Sequence, residues 1–324
     1  MRPAFALGKR EIAEFGAQHN DVPGSHALYR TMAFTFVEAA RSNFAMLKPL
    51  PPAALLAGQD AYNVVFPESI REELSGLCSL KVDCITPSDL TIHADALREV
   101  EFLFTSWGAP KLDAANLALM PKLRAVFYAA GSIKGIVTDE FWARNIPICS
   151  AWAANAVPVT EFTFAQIILG LKQVHRFSAV MRVARARAWP EHYEGVGAFG
   201  TTVGLVSLGQ IGRRVAQMLR QLEVKVLAYD PFCPPHVAKE LGVTLVSLEE
   251  VFSRSRVVSL HAPWLKETEG LITGALLATM PPGATFINTA RGAIVNEPEM
   301  IAVLQNRHDL NAVLDVTWPE PAPA

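Results

Sequence analysis

With 324 residues the chain is long enough for two domains, each with its own core. Its 29 Lys+Arg against 31 Asp+Glu leave a net charge of −2, so no overall field draws it to nucleic acid or an anionic membrane. Small molecules or other protein surfaces are the expected partners.

The four cysteines, Cys78, Cys84, Cys149 and Cys233, form no C-x-x-C pair and no cluster with histidine. That pattern speaks for a reduced, cytoplasmic setting and for no metal centre. No apolar run reaches the roughly 18 residues of a membrane span, and the start from Met1 to Arg10 lacks the apolar core of a signal peptide. Residues 1–60 read as an N-terminal extension. Within it Phe34, Val37, Ala40, Phe44 and Leu47 recur at spacings of three and four. This fits an amphipathic helix between Thr31 and Lys48 as well as it fits a poorly ordered extension.

From Tyr62 a regular alternation begins: strand Tyr62 to Phe66, helix Ser69 to Leu77, strands Val82 to Thr86 and Glu101 to Thr105. Helix Asp113 to Met120 and strands Leu123 to Ala129 and Ile146 to Ser150 follow. Strands alternating with helices predict a parallel, doubly wound sheet, here over residues 61–155. Ligands of such sheets lie beyond the carboxyl ends of strands. Two strand-end loops are therefore candidates, Ser106-Trp107-Gly108 and Ala130-Gly131-Ser132-Ile133, whose backbone N–H groups suit a small carboxylate. The alternative is that their glycines only make turns. Asn155, Pro158 and Glu161 together predict the start of a long helix running to about Arg187. The cations Arg182, Arg185 and Arg187 near its end favour the helix dipole and read as a solvated face more than a binding patch.

The stretch from Thr201 to Asp230, TTVGLVSLGQIGRRVAQMLRQLEVKVLAYD, is a complete strand, loop, helix and second strand. Val203 to Val206 is a short apolar strand. The loop through Gly209 and Gly212 then opens a helix whose apolar positions Val215, Met218, Leu219 and Leu222 recur at helical spacing. The run Val224 to Tyr229 ends in Asp230, 18 residues beyond Gly212. Gly209 lets a pyrophosphate approach the backbone, Gly212 lets helix and strand pack closely, and the free N–H groups at the helix start receive negative charge. Asp230 is placed to accept from a ribose diol and to repel a 2′-phosphate, which points to NAD over NADP. Ser207 stands where this pattern has its first glycine, at an expected cost of about 1 kcal/mol if the turn needs a positive φ.

The alternation continues to the end of the chain. Strand Val257 to Leu260 leads to His261-Ala262-Pro263, and strand Thr285 to Ile287 leads to Asn288-Thr289-Ala290-Arg291-Gly292. A helix from about Glu297 to Gln305 and a strand Ala312 to Leu314, ending at Asp315, complete it. Parallel strands would send all these loops out of one sheet edge, toward a bound cofactor.

Four segments, VGLVSLGQIG, VVSLHAPWLKETEGLI, FINTARGAIVNEPEM and LDVTWPEP, resemble in order those of the D-isomer-specific 2-hydroxyacid dehydrogenases, and the likeness runs from about Tyr62 to Pro321. The resemblance implies an α/β protein of two doubly wound parallel-sheet domains. A flavodoxin-like substrate domain would span 61–155, and a Rossmann NAD-binding domain 156–324. It implies hydride transfer between NAD and a small 2-keto or 2-hydroxy acid, such as a glyoxylate or hydroxypyruvate reductase or a phosphoglycerate dehydrogenase carries out, in a homodimer. Arg291 matches the arginine that holds the substrate carboxylate and carbonyl. Glu320 matches the glutamate that pairs with a catalytic histidine, and Asp315 the acid that accepts from the nicotinamide amide. Gln210, Ile211, Thr289 and Ala290 match backbone cofactor contacts beside Gly209, Gly212 and Asp230, and His261 and Pro263 match the loop beside the cofactor. By the same analogy the loops at Trp107, Gly131 and Ser132 read the substrate.

In the family the catalytic histidine follows the glutamate by some twenty residues, beyond Ala324. The expectation is therefore a chain without that general acid, without the last strand of the cofactor sheet and without the helix returning to the first domain. Such a chain would turn over poorly. Of the eight histidines only His261 lies in a loop near the site; His19, His26, His93, His175, His192, His236 and His308 read as surface or structural. Two other uses of the fold stay open, a non-catalytic NAD-sensing regulator and an inactive structural subunit.

Overall fold

The computed structural model describes residues 49–190 and 197–319, without the side chains of 83–85. The helix expected between Thr31 and Lys48, as well as His192 and Glu320, lie outside the described residues. The chain divides into two compact units, Met1–Val157 and Pro158–Ala324.

The first unit holds five parallel strands: β1 (Pro52–Leu56), β2 (Ser79–Ile85), β3 (Phe102–Thr105), β4 (Ala125–Tyr128) and β5 (Ile148–Ser150). Their order is β2-β1-β3-β4-β5, the flavodoxin-like winding. Side chains alternate across the sheet as the pleat requires. Leu55, Phe104 and Phe127 enter one core, and Leu56, Leu103 and Val126 enter the other.

Two expectations are corrected here. Pro52–Leu56, read as part of the extension, is an inner strand of the sheet, paired on both sides. Tyr62 to Phe66, read as a strand, belongs to the helix Gln59–Val65 and its cap. Tyr62, Val65 and Phe66 are buried while Asn63 and Val64 face out, which is the spacing of a helix face and not of a strand.

The second unit holds β6 (Thr202–Val206), β7 (Lys225–Tyr229), β8 (Val243–Leu245), β9 (Val257–Leu260), β10 (Thr285–Asn288) and β11 (Asn311–Leu314), all parallel. Their order, β11-β10-β9-β6-β7-β8, is that of a dinucleotide-binding doubly wound sheet, with six strands in place. Both faces are covered. Val203, Leu205 and Ile287 pack with Val215 and Leu219 of the helix Gln210–Leu219, and Val206, Val258 and Phe286 pack with Val251 and Phe252 on the other side. β8 and the helix Leu248–Arg254, closed by a Ser247/Glu250 capping box, were not foreseen.

The long helix starts earlier than its sequence signals suggest. It spans Trp152–Leu171 with Pro158 inside it, and Asn155 is a helical residue whose N–H donates to Ala151 O at 2.8 Å. Gln173, with φ of 49°, then separates it from Val174–Ala184. Over 20 residues the first helix is long and apolar enough, by length and composition, to cross a membrane. The core of the second unit takes its end: Ile167 and Leu171 are buried there, and Gly170 lies against Thr285 and Val257.

Candidate functional site

At the end of β6 the chain turns sharply. Ser207 adopts φ of +78°, the left-handed conformation expected of a glycine, and its N–H donates to Tyr229 O at 2.8 Å. Asp230, at the tip of β7, bends onto this turn. Its Oδ2 accepts from Leu208 N–H at 2.7 Å and lies 3.4 Å from Ser207 Oγ, while Oδ1 accepts from Phe232 N–H at 2.8 Å. The acid and the loop predicted to share a dinucleotide are thus brought together by a charge-assisted hydrogen bond.

The two glycines of the loop differ in kind. A Cβ on Gly212 would overlap the carbonyl oxygen of Ser207, so the close approach of helix to strand needs glycine there. Gly209 has an ordinary φ of −73°, and a Cβ on it would meet nothing within 4 Å. Among the described residues nothing requires glycine at 209, and its bare backbone leaves room for a ligand. Among the described residues no side chain caps the helix Gln210–Leu219, so its first-turn N–H groups, at Gln210 and Ile211 among others, carry the positive end of the dipole with no described carboxylate or hydroxyl on them.

His261 follows β9 and stands behind this loop. Its N–H donates to Val206 O at 2.8 Å, and its ring edge lies against Gly212. The ring is buried with neither nitrogen hydrogen-bonded, and that burial pulls its pKa down to about 3, so it is neutral. A buried, unpartnered imidazole beside an open helix start is unusual in a satisfied interior. Pro263 is exposed, and its carbonyl accepts from Thr268 Oγ1 at 2.6 Å.

The loop after β10 is shaped by Asn288, which the sequence places in this loop without assigning it a role. Its buried Oδ1 accepts from Ala290 N–H at 3.0 Å and its Nδ2 donates to Arg291 O at 3.1 Å, a local turn of the kind Asn favours. Thr289 is held by Thr163, with Oγ1 to Oγ1 at 3.0 Å, both buried. Arg291 is exposed, and its Nη1 donates to Ala290 O at 2.6 Å, leaving the rest of its guanidinium fork for an outside acceptor. Asp315 N–H donates to Asn288 O at 3.0 Å, which draws the end of β11 to the same loop. Thr317 and Trp318 press on Gly292, where a Cβ would overlap the Thr317 carbonyl. Trp318 N–H donates to Glu297 Oε1 at 2.7 Å, and its ring meets Trp264 edge-on at 4.9 Å. Glu297, Trp264 and Trp318 are further residues of this edge that sequence reasoning missed. Trp264 and Trp318 follow strands and Glu297 opens the helix Glu297–Asn306, and all three lie in the segments that carry the family likeness.

In the first unit the strand-end loops of β3 and β4 are neighbours. Ser106 Oγ donates to Ala129 O at 3.1 Å and Ala129 N–H to Thr105 O at 2.7 Å. Trp107 is exposed at the tip of one loop and Ser132 at the tip of the other, and Gly131 lies under the amide of Asn155, where a Cβ would sit 3.0 Å from Nδ2. Among the described residues the N–H groups of Gly131, Ser132 and Ile133 have no hydrogen-bond partner, so three successive donors are left at a sheet edge.

Comparison with known proteins agrees with this geometry. Residues 164–324 match the family model described as D-isomer specific 2-hydroxyacid dehydrogenase, NAD binding domain. The chain is 34% identical over 262 residues to an (S)-sulfolactate dehydrogenase of Chromohalobacter salexigens, covering 77% of this chain and 82% of that one. The chain belongs to the D-isomer-specific 2-hydroxyacid dehydrogenase family. It is also 34% identical over 214 residues to a D-3-phosphoglycerate dehydrogenase of Mycobacterium bovis, a match over 66% of this chain and only 40% of that relative's length. Among solved structures, D-lactate dehydrogenase from Aquifex aeolicus, complexed with NAD and lactic acid, is 27% identical with a TM-score of 0.64, over 82% of this chain and 78% of that one. The second unit is therefore the family's NAD binding domain. Its open glycine, bare helix start and inward-turned Asp230 fit a dinucleotide.

Proposed function

We propose that this chain is an NAD-dependent oxidoreductase that moves a hydride between nicotinamide and the 2-carbon of a small 2-hydroxy or 2-keto acid. The observation that carries the reading is the hydrogen bond from Leu208 N–H to Asp230, which sets a ribose acceptor against a phosphate loop.

When bound, NADH supplies the hydride. Gly209, Gln210, Ile211 and Gly212 hold the pyrophosphate on backbone N–H groups, and Asp230 takes the ribose hydroxyls. His261, Pro263, Thr289, Ala290 and Asp315 line the rest of the cofactor's path, with Asp315 accepting from the carboxamide. Arg291 grips the substrate carboxylate and polarises the carbonyl, the work of a planar cation with paired donors. The N–H groups of Gly131 and Ser132, with Trp107 on the neighbouring strand-end loop, receive the substrate in the first unit, which thereby acts as a substrate domain. Glu320 is proposed for its family counterpart's role, raising the pKa of a histidine acid, although none of the eight histidines of this chain is assigned as that acid.

The enzyme is proposed to work as a homodimer in the cytoplasm. The reducing setting is supported by Cys78, Cys149 and Cys233, all free thiols, with burial pushing the Cys78 thiol up to about 12. Titration with NADH, followed by NADH oxidation in the presence of glyoxylate or hydroxypyruvate, tests the proposal. Saturable NADH binding is expected, with ketoacid-dependent oxidation slowed by about 10²- to 10⁴-fold where the general acid is missing. NADH binding with no acid reduced would favour the sensing role, and no NADH binding would overturn both.

A further inference from the structure

We propose that Thr163 is a positioning residue for Arg291: its hydroxyl holds the loop after β10 in the place where the guanidinium meets the substrate carboxylate. The proposal rests on the 2-keto acid reading above and deepens it by naming what steadies that site.

The helix Trp152–Leu171 passes from the first unit to the second at Val157 and Pro158, and its later turns belong to the second. There Thr160, Thr163, Ile167 and Leu171 are buried, at the spacing of one helix face. Ile167 and Leu171 enter the apolar core. Gly170 comes so close to Thr285, the first residue of β10, that a Cβ on it would lie 3.2 Å from the Thr285 side chain. Seven residues back along the helix, Thr163 meets Thr289, four residues further along the strand. About 10 Å of helix thus runs beside about 13 Å of strand, in the opposite direction, and delivers Thr163 to the edge where β10 ends.

The pair is a polar contact in a dry place. Thr163 is 0% exposed and Thr289 5%, and their Oγ1 atoms lie 3.0 Å apart. Among the described residues neither hydroxyl has another hydrogen-bond partner. A threonine inside a helix can turn its hydroxyl to the carbonyl one turn back; Thr163 gives it to the loop instead.

The peptides after Thr289 carry the effect to Arg291. Ala290 N–H donates to Asn288 Oδ1, and the Ala290 carbonyl accepts from Arg291 Nη1. The side-chain bonds of Asn288 fix the shape of the turn, but both of their ends lie within it. The bond from Asp315 N–H holds the base of the turn at Asn288 O. The Thr163 hydroxyl tethers the other flank to an element outside the sheet. Without it the turn keeps its shape and loses its seat, and the guanidinium moves with the Ala290 carbonyl. A shift of about 1 Å is enough to spoil a paired-donor grip on a carboxylate.

The test uses the full chain saturated with NADH. Calorimetry reads the binding of oxamate, a 2-keto acid isostere that does not take the hydride, and NADH oxidation with hydroxypyruvate reads kcat/KM. Thr163→Val keeps the shape and removes the hydroxyl. It is expected to weaken oxamate binding and lower kcat/KM by about tenfold each, with NADH affinity within about twofold of native. Thr163→Ser keeps the hydroxyl and should recover most of both. Thr163→Val combined with Thr289→Val leaves no hydroxyl stranded, so its Tm should return close to native while oxamate binding stays as weak as in Thr163→Val alone. Oxamate binding within about twofold of native in Thr163→Val or in the double variant, or a Thr163→Ser as weak as Thr163→Val, overturns the proposal while the dehydrogenase reading stands. If the native chain binds NADH and neither oxamate nor hydroxypyruvate, the 2-keto acid reading falls first and this proposal with it.

Discussion

In the second unit the strand order reverses between β6 and β9, and the loop leaving β6 keeps Gly209 clear of every neighbour. In the first unit the reversal lies between β1 and β3, where Gly58 and Gly108 meet backbone to backbone. Two sheets of one architecture thus treat this edge differently: one keeps a glycine open, as the proposed diphosphate site needs, and the other brings two glycines together backbone to backbone. Winding alone does not give function; what each glycine touches does.

The largest effect should come from the chemistry of the second unit. Arg291→Ala is expected to lower kcat/KM for a 2-keto acid by about 10²- to 10³-fold, with a smaller change in NADH affinity and little change in Tm, because the side chain is exposed. Steady-state kinetics beside a thermal melt checks it, and an unchanged kcat/KM would remove Arg291 from the site.

The two glycines of the phosphate loop sharpen the comparison next. Gly212→Ala forces a methyl group into the Ser207 carbonyl and should destabilise by about 3 kcal/mol, or roughly 5–10 °C in Tm. Gly209→Ala should leave Tm within about 1 °C and yet weaken NADH by about tenfold or more, since its only conflict is with a ligand. Equal effects on Tm would erase the distinction between packing and access.

His261 gives a pH signature. Its folded pKa, about 3, lies below the ordinary value of 6.5, so the unfolded chain binds a proton there that the folded one refuses. The contribution is present above pH 6.5 and is lost as pH falls toward 3, with a slope of at most about 1.4 kcal/mol per pH unit. Denaturant unfolding of the cofactor-free protein across that window should show the slope, and His261→Phe should flatten it.

Ser207→Gly should matter least. Relief of the +78° φ and loss of a 3.4 Å contact to Asp230 pull in opposite directions, leaving a gain of at most about 1 kcal/mol.

The second unit was the more legible in sequence because its signals are local: a strand, a loop, a helix and an acid follow one another within thirty residues. Even the strain at Ser207 could be read from the missing glycine. The first unit hid its central features in tertiary context. Pro52–Leu56 is Ala- and Leu-rich beside prolines, a composition that reads as a linker, and it becomes a strand because β2 and β3 pair with it. Tyr62 to Phe66 carries strand-forming residues, but its burial pattern is helical. Pro158 resembled a first-turn proline and lies inside a helix that starts at Trp152. The Gly58 to Gly108 contact joins residues fifty apart, and the turn held by Asn288 depends on its buried setting. Neither leaves a mark in local spacing.

The most direct test is a fluorescence titration of the chain and of its Asp230→Ser variant with NADH and NADPH. The account requires saturable NADH binding by the native chain, with NADPH much weaker, and a loss of that discrimination in the variant. An unresponsive native chain at saturating NADH, or equal affinity for the two cofactors before Asp230 is touched, would contradict it.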